Sequence, residues 1–283
     1  MQKPNLATVP SEEREIIERI RDLIPRLRGK AEFFYIENGH IDWVFLDDMN
    51  LGKKKEPLKD VLELLLNLPQ LKSLSLDKNQ LSSLPETIAH FTKLERLSLG
   101  KNKFKEFPKE ILECVELKIL DISENKLTDL PEEISKLGNL EHLAIEDNLL
   151  TRFPDSICKL KKLRHLYVSS NQLEKIPDCI GELGNLTEID LPNNHIKEIP
   201  SSIGKLKKVV WLALGGNQIE KVPEEIGGME LLEEFRLTHN KITSVPASLT
   251  DLPNLRDLQI IRENPIKKSA LPKDLTEQVR WIS

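Results

Sequence analysis

The chain has 283 residues and a formal net charge of −5, so its overall charge does not favour nucleic acid as a partner. Leucine occupies 48 positions and isoleucine 26, whereas Phe, Trp and Tyr together occupy only 13. The longest nearly apolar stretch, residues 61–68, contains Glu63 and is far shorter than the ~20 residues that span a bilayer. A core of Leu and Ile with few aromatic rings is typical of a small unit that is repeated many times.

Residues 1–40 predict an N-terminal cap made of a helix and part of a hairpin. Residues 11–27 predict an amphipathic helix, and residues 32–47 predict a hairpin whose turn is Asn38-Gly39, a strong turn dipeptide. The apolar stripe of the helix is formed by Ile16, Ile20, Leu23 and Leu27. The second arm of the hairpin, residues 41–46, already resembles the strand of a repeat.

Residues 41–70 predict an irregular first repeat. The distance from Ile41 to Leu71 is 30 residues, so this repeat carries an insert with a run of lysines at 53–55. Residues 58–68 predict a helix because their apolar positions follow a helical period.

Residues 71–264 predict nine repeats of one 23-residue pattern, L-x-x-L-x-L-x-x-N-x-L-x-x-L-P-x-x-I-x-x-L. A proline recurs in the same register from Pro85 to Pro246. The ninth repeat begins at Leu255, and its Asn264 follows Asn240 by 24 residues, so the register slips as the array ends. The asparagines at fixed spacing are Asn79, Asn102, Asn125, Asn148, Asn171, Asn194, Asn217 and Asn240.

Each part of the pattern has a physical reason. The L-x-L segment alternates in the period of a strand, and stacked repeats place these strands side by side, ~4.8 Å apart. The asparagine lies where the chain leaves the strand, and its amide can satisfy buried backbone groups as a ladder from repeat to repeat. Proline suits the first position of a short helical turn.

Residues 265–283 predict a C-terminal cap in which a short helix, residues 271–282, folds back over the last repeat. Trp43 and Trp281 lie in the two end regions, where a large ring can cover leucines that would otherwise be exposed.

From Ile41 to Ile266 the pattern is similar to that of leucine-rich repeat proteins of the 23-residue type with an LP-x-x-I segment. This subtype resembles the Ras-associated scaffolds of animals and plants and many bacterial and archaeal repeat proteins. The resemblance implies an α/β solenoid, a curved horseshoe segment with a parallel β-sheet on its concave face and short helical or 3-10 segments on its convex face. It also implies a small GTPase, phosphatase or kinase complex as a partner class.

The third, fifth, seventh and eighth positions of the pattern are free of structural duty, and we expect them to face the concave surface. Trp211 occupies one of them, where strand parity forbids burial with Leu212, and Tyr167 lies nearby, so this face has the composition of an interface hot spot. The predicted partner-binding residues are Ile119, Asp121, His142, Glu146, His165, Tyr167, Glu188, Asp190, Trp211, Arg236 and His239.

The sequence therefore predicts a non-enzymatic module that binds a protein partner on the concave face, with a signalling scaffold as one form of it. A domain that senses a small molecule or glycan near Trp211 and Tyr167 is the alternative. No catalytic motif or cofactor is predicted, and the column of His142, His165 and Glu188 is interpreted as surface side chains rather than as a metal site. A basic stripe is interpreted as a solvated face; it consists of Lys159, Lys161, Lys162, Lys205, Lys207 and Lys208.

The three cysteines, Cys114, Cys158 and Cys179, are an odd number without paired spacing, which predicts buried thiols in a reducing compartment. The first fifteen residues have no apolar segment, so we expect no secretory signal. A cytoplasmic monomer that does not insert into a membrane is the expectation.

Overall fold

The computed structural model describes residues 6–28, 33–53 and 57–267, together with residues 269, 271, 272 and 275. The chain divides into two compact units, Met1–Lys126 and Leu127–Ser283. Among the described residues, no helix combines the length and the apolar composition that crossing a membrane requires.

The first unit begins with helix α1, Ser11–Leu23, followed by a 3-10 turn, Pro25–Leu27. The predicted helix was therefore too long at its C-terminal end. A residue that precedes proline is pushed out of the helical region, and Ile24 accordingly has φ −117° and ψ 87°. The buried side of the helix consists of Ile16, Ile17, Ile20 and Glu13, whose carboxylate accepts a hydrogen bond from the backbone N–H of Ile41.

The predicted hairpin is present, with strand β1 at Phe34–Glu37 and strand β2 at His40–Phe45. Asn38 and Gly39 have φ of 51° and 81°, the left-handed values that a tight two-residue hairpin turn requires. Strand β2 also pairs in parallel with strand β3, Ser73–Ser75, so the second arm of the hairpin starts the parallel array, as predicted.

The rest of the first unit follows the repeat pattern. Helix α2, Leu58–Leu65, lies in the predicted insert and ends three residues earlier than predicted. Strands β4, Arg96–Ser98, and β5, Ile119–Asp121, continue the parallel pairing from β3. The 3-10 segments of the regular repeats here are Glu86–His90 and Lys109–Glu113.

The second unit repeats one strand and one 3-10 segment. Its parallel strands are β6 His142–Ala144, β7 His165–Tyr167, β8 Glu188–Asp190, β9 Trp211–Ala213, β10 Glu234–Arg236 and β11 Asp257–Gln259. Its 3-10 segments are Glu132–Lys136, Asp155–Lys159, Asp178–Glu182, Ser201–Lys205, Glu224–Gly228 and Ala247–Asp251. Each of them follows a proline in extended backbone, so the proline directly precedes the turn rather than occupying its first position as predicted.

The middle residue of each strand in this unit is buried in the core, and the two residues beside it point to the other face of the sheet. We call that other face the exposed sheet face. The buried middle residues are Leu143, Leu166, Ile189, Leu212, Phe235 and Leu258.

The repeated asparagines are buried, and their amides bond the backbone of neighbouring repeats. Asn171 Oδ1 accepts a hydrogen bond from the backbone N–H of Leu150 at 2.9 Å. Its Nδ2 donates to the carbonyl oxygens of Ile145 at 2.9 Å and Val168 at 3.3 Å. Asn194, Asn217 and Asn240 make the equivalent contacts one repeat later each time. Each amide thus ties a turn to the strand of the preceding repeat.

The residue before each of these asparagines is not free of structural duty, contrary to the expectation for the eighth position. Its φ is positive, because the chain must turn sharply inward after the strand, and Gly216 occupies the position once with φ 67°. The other residues with positive φ at this position are Lys78, Lys101, Glu124, Asp147, Ser170, Asn193 and His239.

The predicted capping roles of the two end tryptophans have different outcomes. Trp43 alternates with the buried Val44 and Leu46, so strand parity places its ring on the face opposite the core leucines, and the capping prediction was wrong. Trp281 and most of the predicted C-terminal helix lie outside the described residues. Within that segment, Leu271 and Leu275 are buried.

Candidate functional site on the exposed sheet face

Seven of the predicted partner-binding residues lie together on strands β6 to β10 of the second unit. Parallel pairing aligns the strands, so that their first residues form one row and their third residues another. We call this set the aromatic–acidic surface; it comprises His142, His165, Tyr167, Glu188, Asp190, Trp211 and Arg236.

Three rings pack at one end of this surface. The His142 ring lies 5.3 Å from the His165 ring and 5.0 Å from the Tyr167 ring, measured between centroids, and meets Tyr167 edge to face. His165 and Tyr167 are stacked at 6.2 Å. Strand pairing holds all three rings in place before any partner arrives, which lowers the ordering cost of an interface.

The hydroxyl of Tyr167 donates a hydrogen bond to Glu188 on the next strand. Burial raises the pKa of Tyr167, and the bond to Glu188 and the negative charges of Glu188 and Asp190 raise it further. The phenol therefore remains a donor at neutral pH and fixes one oxygen of the carboxylate. The other oxygen of Glu188 lies 3.9 Å from His165 Nε2, and 41% of the Glu188 side chain is exposed.

Trp211 is half-buried between two polar partners. The guanidinium of Arg236 lies over the indole ring, 3.9 Å from its centroid, and also 3.2 Å from Glu234. Burial raises the pKa of Asp190, and the charge of Glu188 adds to that rise, while the Trp211 side chain and the charge of Arg236 oppose it. The ring is thus an organised part of the face.

The other predicted residues are placed differently. Ile119 and Asp121 lie on β5, in the first unit, and Asp121 accepts hydrogen bonds from the hydroxyl and the backbone N–H of Ser123. Glu146 follows β6 and is close enough to raise the pKa of Tyr167. His239 is exposed in the left-handed turn after β10.

The arrangement offers stacking, hydrogen bonding and negative charge rather than metal ligation. Within the part of the chain that the structure describes, no three His, Cys, Asp or Glu side chains are placed to hold a metal ion.

Sequence reasoning missed a second aromatic group, in the first unit. Tyr35, Trp43 and Phe45 share the exposed side of the hairpin: Trp43 stacks on Phe45 at 4.6 Å, and Tyr35 meets both rings edge to face. The alternation of Trp43 and Phe45 with buried Val44 and Leu46 was the signal that could have revealed it.

The cysteine prediction was wrong for two of the three residues. Cys158 and Cys179 form a disulfide between the 3-10 segments of consecutive repeats, with their Cα atoms 5.9 Å apart. A spacing of 21 residues is not a recognisable disulfide pattern in a linear sequence, but stacking at a 23-residue period brings the two positions together. Cys114 is a buried free thiol, as predicted, and burial raises its pKa to about 12.

Four lysines of the predicted basic stripe contact neighbouring repeats. Lys161 lies 2.7 Å from Glu182, and Lys207 lies 3.2 Å from Glu230. Lys162 and Lys208 donate to the amide oxygens of Asn139 and Asn185, respectively. These side chains join one repeat to another on the side of the 3-10 segments.

Comparison with known proteins decides the family. A family model described as "Leucine-rich repeat region" matches residues 109–189 and 155–280, more than half of the chain, and a second, "Leucine Rich Repeat", matches residues 70–91. The chain belongs to the leucine-rich repeat family. No curated protein sequence matches this leucine-rich repeat chain.

Solved leucine-rich repeat structures have the same fold. One is the ectodomain of the Arabidopsis thaliana membrane receptor kinase GASSHO1/SCHENGEN3 in complex with CASPARIAN STRIP INTEGRITY FACTOR 2, with 27% identity and a TM-score of 0.69 over 77% of this chain and 27% of that chain. Another is the plant peptide hormone receptor RGFR1 in complex with RGF2, with 25% identity and a TM-score of 0.67 over 77% of this chain and 36% of that chain.

A third is the Arabidopsis receptor kinase HAESA in complex with the peptide hormone IDA and the co-receptor SERK1, with 23% identity and a TM-score of 0.74 over 90% of this chain and 46% of that chain. The chain spans less than half of the length of each of these structures. The predicted fold class, an α/β leucine-rich repeat solenoid, is confirmed.

Proposed function

We propose that this leucine-rich repeat chain is a non-enzymatic interaction module that binds a protein or peptide partner on the aromatic–acidic surface. The observation that carries the proposal is the organised state of that surface. Tyr167 and Trp211 remain partly exposed, yet Tyr167 is held by a hydrogen bond to Glu188 and Trp211 by the guanidinium of Arg236, which lies over its ring. Rigid aromatic side chains with polar partners are the residues that dominate interface energies.

The solved relatives support a partner of this kind. GASSHO1/SCHENGEN3 and RGFR1 were each solved with a bound partner, and RGFR1 is described as a peptide hormone receptor. The more specific predictions from the sequence, a signalling scaffold and a GTPase, phosphatase or kinase partner, stay predictions, as does the monomeric state.

The cytoplasmic location also stays a prediction, and its cysteine argument no longer holds. A disulfide such as Cys158–Cys179 is expected to form and persist in an oxidising compartment.

The proposal is tested by removing the two fixed rings together. Trp211→Ala with Tyr167→Ala should leave the chain folded but lose a partner that wild type captures from extracts of its source, as measured by quantitative mass spectrometry. A control variant, Glu133→Gln with Asp178→Asn, changes exposed side chains of two 3-10 segments and should retain the partner. Equal capture by the folded ring variant would refute the proposed site and would favour a role elsewhere on the chain.

A further inference from the structure

The residues of strands β6 to β9 that point to the exposed sheet face include two carboxylates and no lysine or arginine. The first residues of these strands are His142, His165, Glu188 and Trp211, and the third are Ala144, Tyr167, Asp190 and Ala213. Glu146 adds another carboxylate after β6. Arg236, on β10, is the first cation at these positions, and it is already held by Trp211 and Glu234.

The two carboxylates of β8 are positioned as a pair. Glu188 and Asp190 are separated by one residue, so they project from the same face, with a Cα separation of ~7 Å. Glu188 accepts a hydrogen bond from Tyr167 on one adjacent strand, and Trp211 lies directly across from Glu188 on the other. Two carboxylates with an aromatic ring on each side are suited to bind a flat cation.

A guanidinium fits this arrangement better than an ammonium. It can bond a carboxylate through two parallel N–H groups while its plane stacks on an aromatic ring. The same surface already shows such stacking, because the Arg236 guanidinium lies over Trp211 at 3.9 Å. That contact leaves the side of the carboxylate pair nearest Tyr167 and His165 for a group from a partner, and 41% of the Glu188 side chain is exposed there.

The neighbouring positions carry small residues. Ala144 and Ala213 have short side chains that are themselves buried, Gly215 has none, and Pro192 follows the strand that carries the carboxylate pair. A main chain that crosses the strands therefore meets no long side chain at these positions beside Glu188.

We propose that the aromatic–acidic surface binds a basic, extended segment of its protein partner, with an arginine side chain seated between Glu188, Asp190 and the ring of Tyr167. This inference rests on the proposed function and specifies the chemistry of the partner.

The test is selection of peptides from a displayed random library on the full-length chain. We expect the selected peptides to contain an arginine whose replacement by glutamine weakens binding at least ~tenfold, because a hydrogen bond between charged groups is lost. Glu188→Gln with Asp190→Asn should weaken the same peptides by a similar factor. Glu133→Gln with Asp178→Asn, which removes the same charge from 3-10 segments, should change their affinity less than ~twofold at moderate salt.

The outcomes separate the inference from the proposed function. Selected peptides without arginine that still require Trp211 and Tyr167 would overturn the inference and leave the proposed function standing. Arginine peptides that bind the control variant as poorly as the Glu188→Gln, Asp190→Asn variant would show attraction by net charge alone and would also overturn the inference. Peptides that bind equally well after Trp211→Ala with Tyr167→Ala would overturn both, and a selection without enrichment would overturn the inference.

Discussion

The column of buried asparagines and the aromatic–acidic surface are built from the same repeats and have opposite duties. Asn171 satisfies backbone groups of its own and the preceding repeat, and its environment recurs at Asn194, Asn217 and Asn240. Trp211, in contrast, stands where other strands carry His, Glu or Asp. The 23-residue period fixes the buried asparagines but leaves the residues of the aromatic–acidic surface free to vary. The residues that can determine partner specificity are therefore the ones that differ from repeat to repeat.

The largest effect should come from breaking the asparagine column. Asn171→Ala leaves the buried N–H of Leu150 without its partner. It also removes one of the two amide donors at the carbonyls of Ile145 and Val168, which keep their bonds from Asn148 and Asn194. We expect a loss of about 4 kcal/mol in the free energy of unfolding, since the one orphaned buried group costs about 1–3 kcal/mol and each of the two other lost hydrogen bonds costs about 1 kcal/mol. Urea unfolding followed by circular dichroism measures it. The adjacent, exposed Gln172 provides the control, and equal stability of Asn171→Ala and Gln172→Ala would contradict the account.

The next effect concerns the disulfide on the side of the 3-10 segments. Reduction of Cys158–Cys179 opens a loop of 21 residues and should cost about 3 kcal/mol. The melting temperature of the wild-type chain should therefore fall when a reductant is added. Cys158→Ser with Cys179→Ser should melt at the same temperature with and without reductant. A wild-type melting temperature that ignores the reductant would indicate that the bond does not contribute to stability.

A smaller effect is expected at the left-handed turn between the two regions. Ser170 has φ 54°, so Ser170→Val forces a β-branched residue into that conformation and should cost about 2 kcal/mol. Ser170→Gly should be neutral or stabilise by up to about 1 kcal/mol, because glycine accepts positive φ freely. Chemical unfolding of the pair measures the difference, and equal stability of the two variants would mean that the turn does not require this conformation.

The smallest change in stability should follow from altering the aromatic–acidic surface itself. Because the pKa of Asp190 is raised in the folded chain, its ionised form opposes folding. Asp190→Asn should therefore be slightly more stable than wild type at pH 7. The difference should vanish below pH 3.8, where the carboxyl is protonated in both states, and should grow as the pH rises towards the folded-state pKa. Melting curves from pH 3 to 7 test this prediction. An Asp190→Asn variant that is less stable than wild type at pH 7 would contradict it.

Much of this architecture could be predicted from the sequence because the repeat is strict. The 23-residue period located the strands, the buried asparagines and the proline-led 3-10 segments, and strand parity placed Trp211 and Tyr167 on the exposed sheet face. The same alternation holds at Trp43 and Phe45, but the interpretation of Trp43 as a capping ring concealed the aromatic group that it forms with Tyr35 and Phe45.

The remaining features depend on three-dimensional proximity. The Cys158–Cys179 bond depends on how two consecutive 3-10 segments stack on each other. The contact of Arg236 with the Trp211 ring depends on the side-chain conformations of both residues, which the repeat pattern does not specify. The local conformation of Ile24 next to Pro25 decided where α1 ends.

The most direct test that partners bind the aromatic–acidic surface, and not the side of the 3-10 segments, is site-specific photo-cross-linking. Two variants sample the two sides of the repeats. One carries a photoreactive amino acid in place of Ser169, beside Tyr167, and the other carries it in place of Ser135, in the segment Glu132–Lys136. We expect a partner to be cross-linked from position 169, to be lost when Trp211→Ala is added, and to be absent from position 135. A partner cross-linked from position 135 and unaffected by Trp211→Ala would contradict the account.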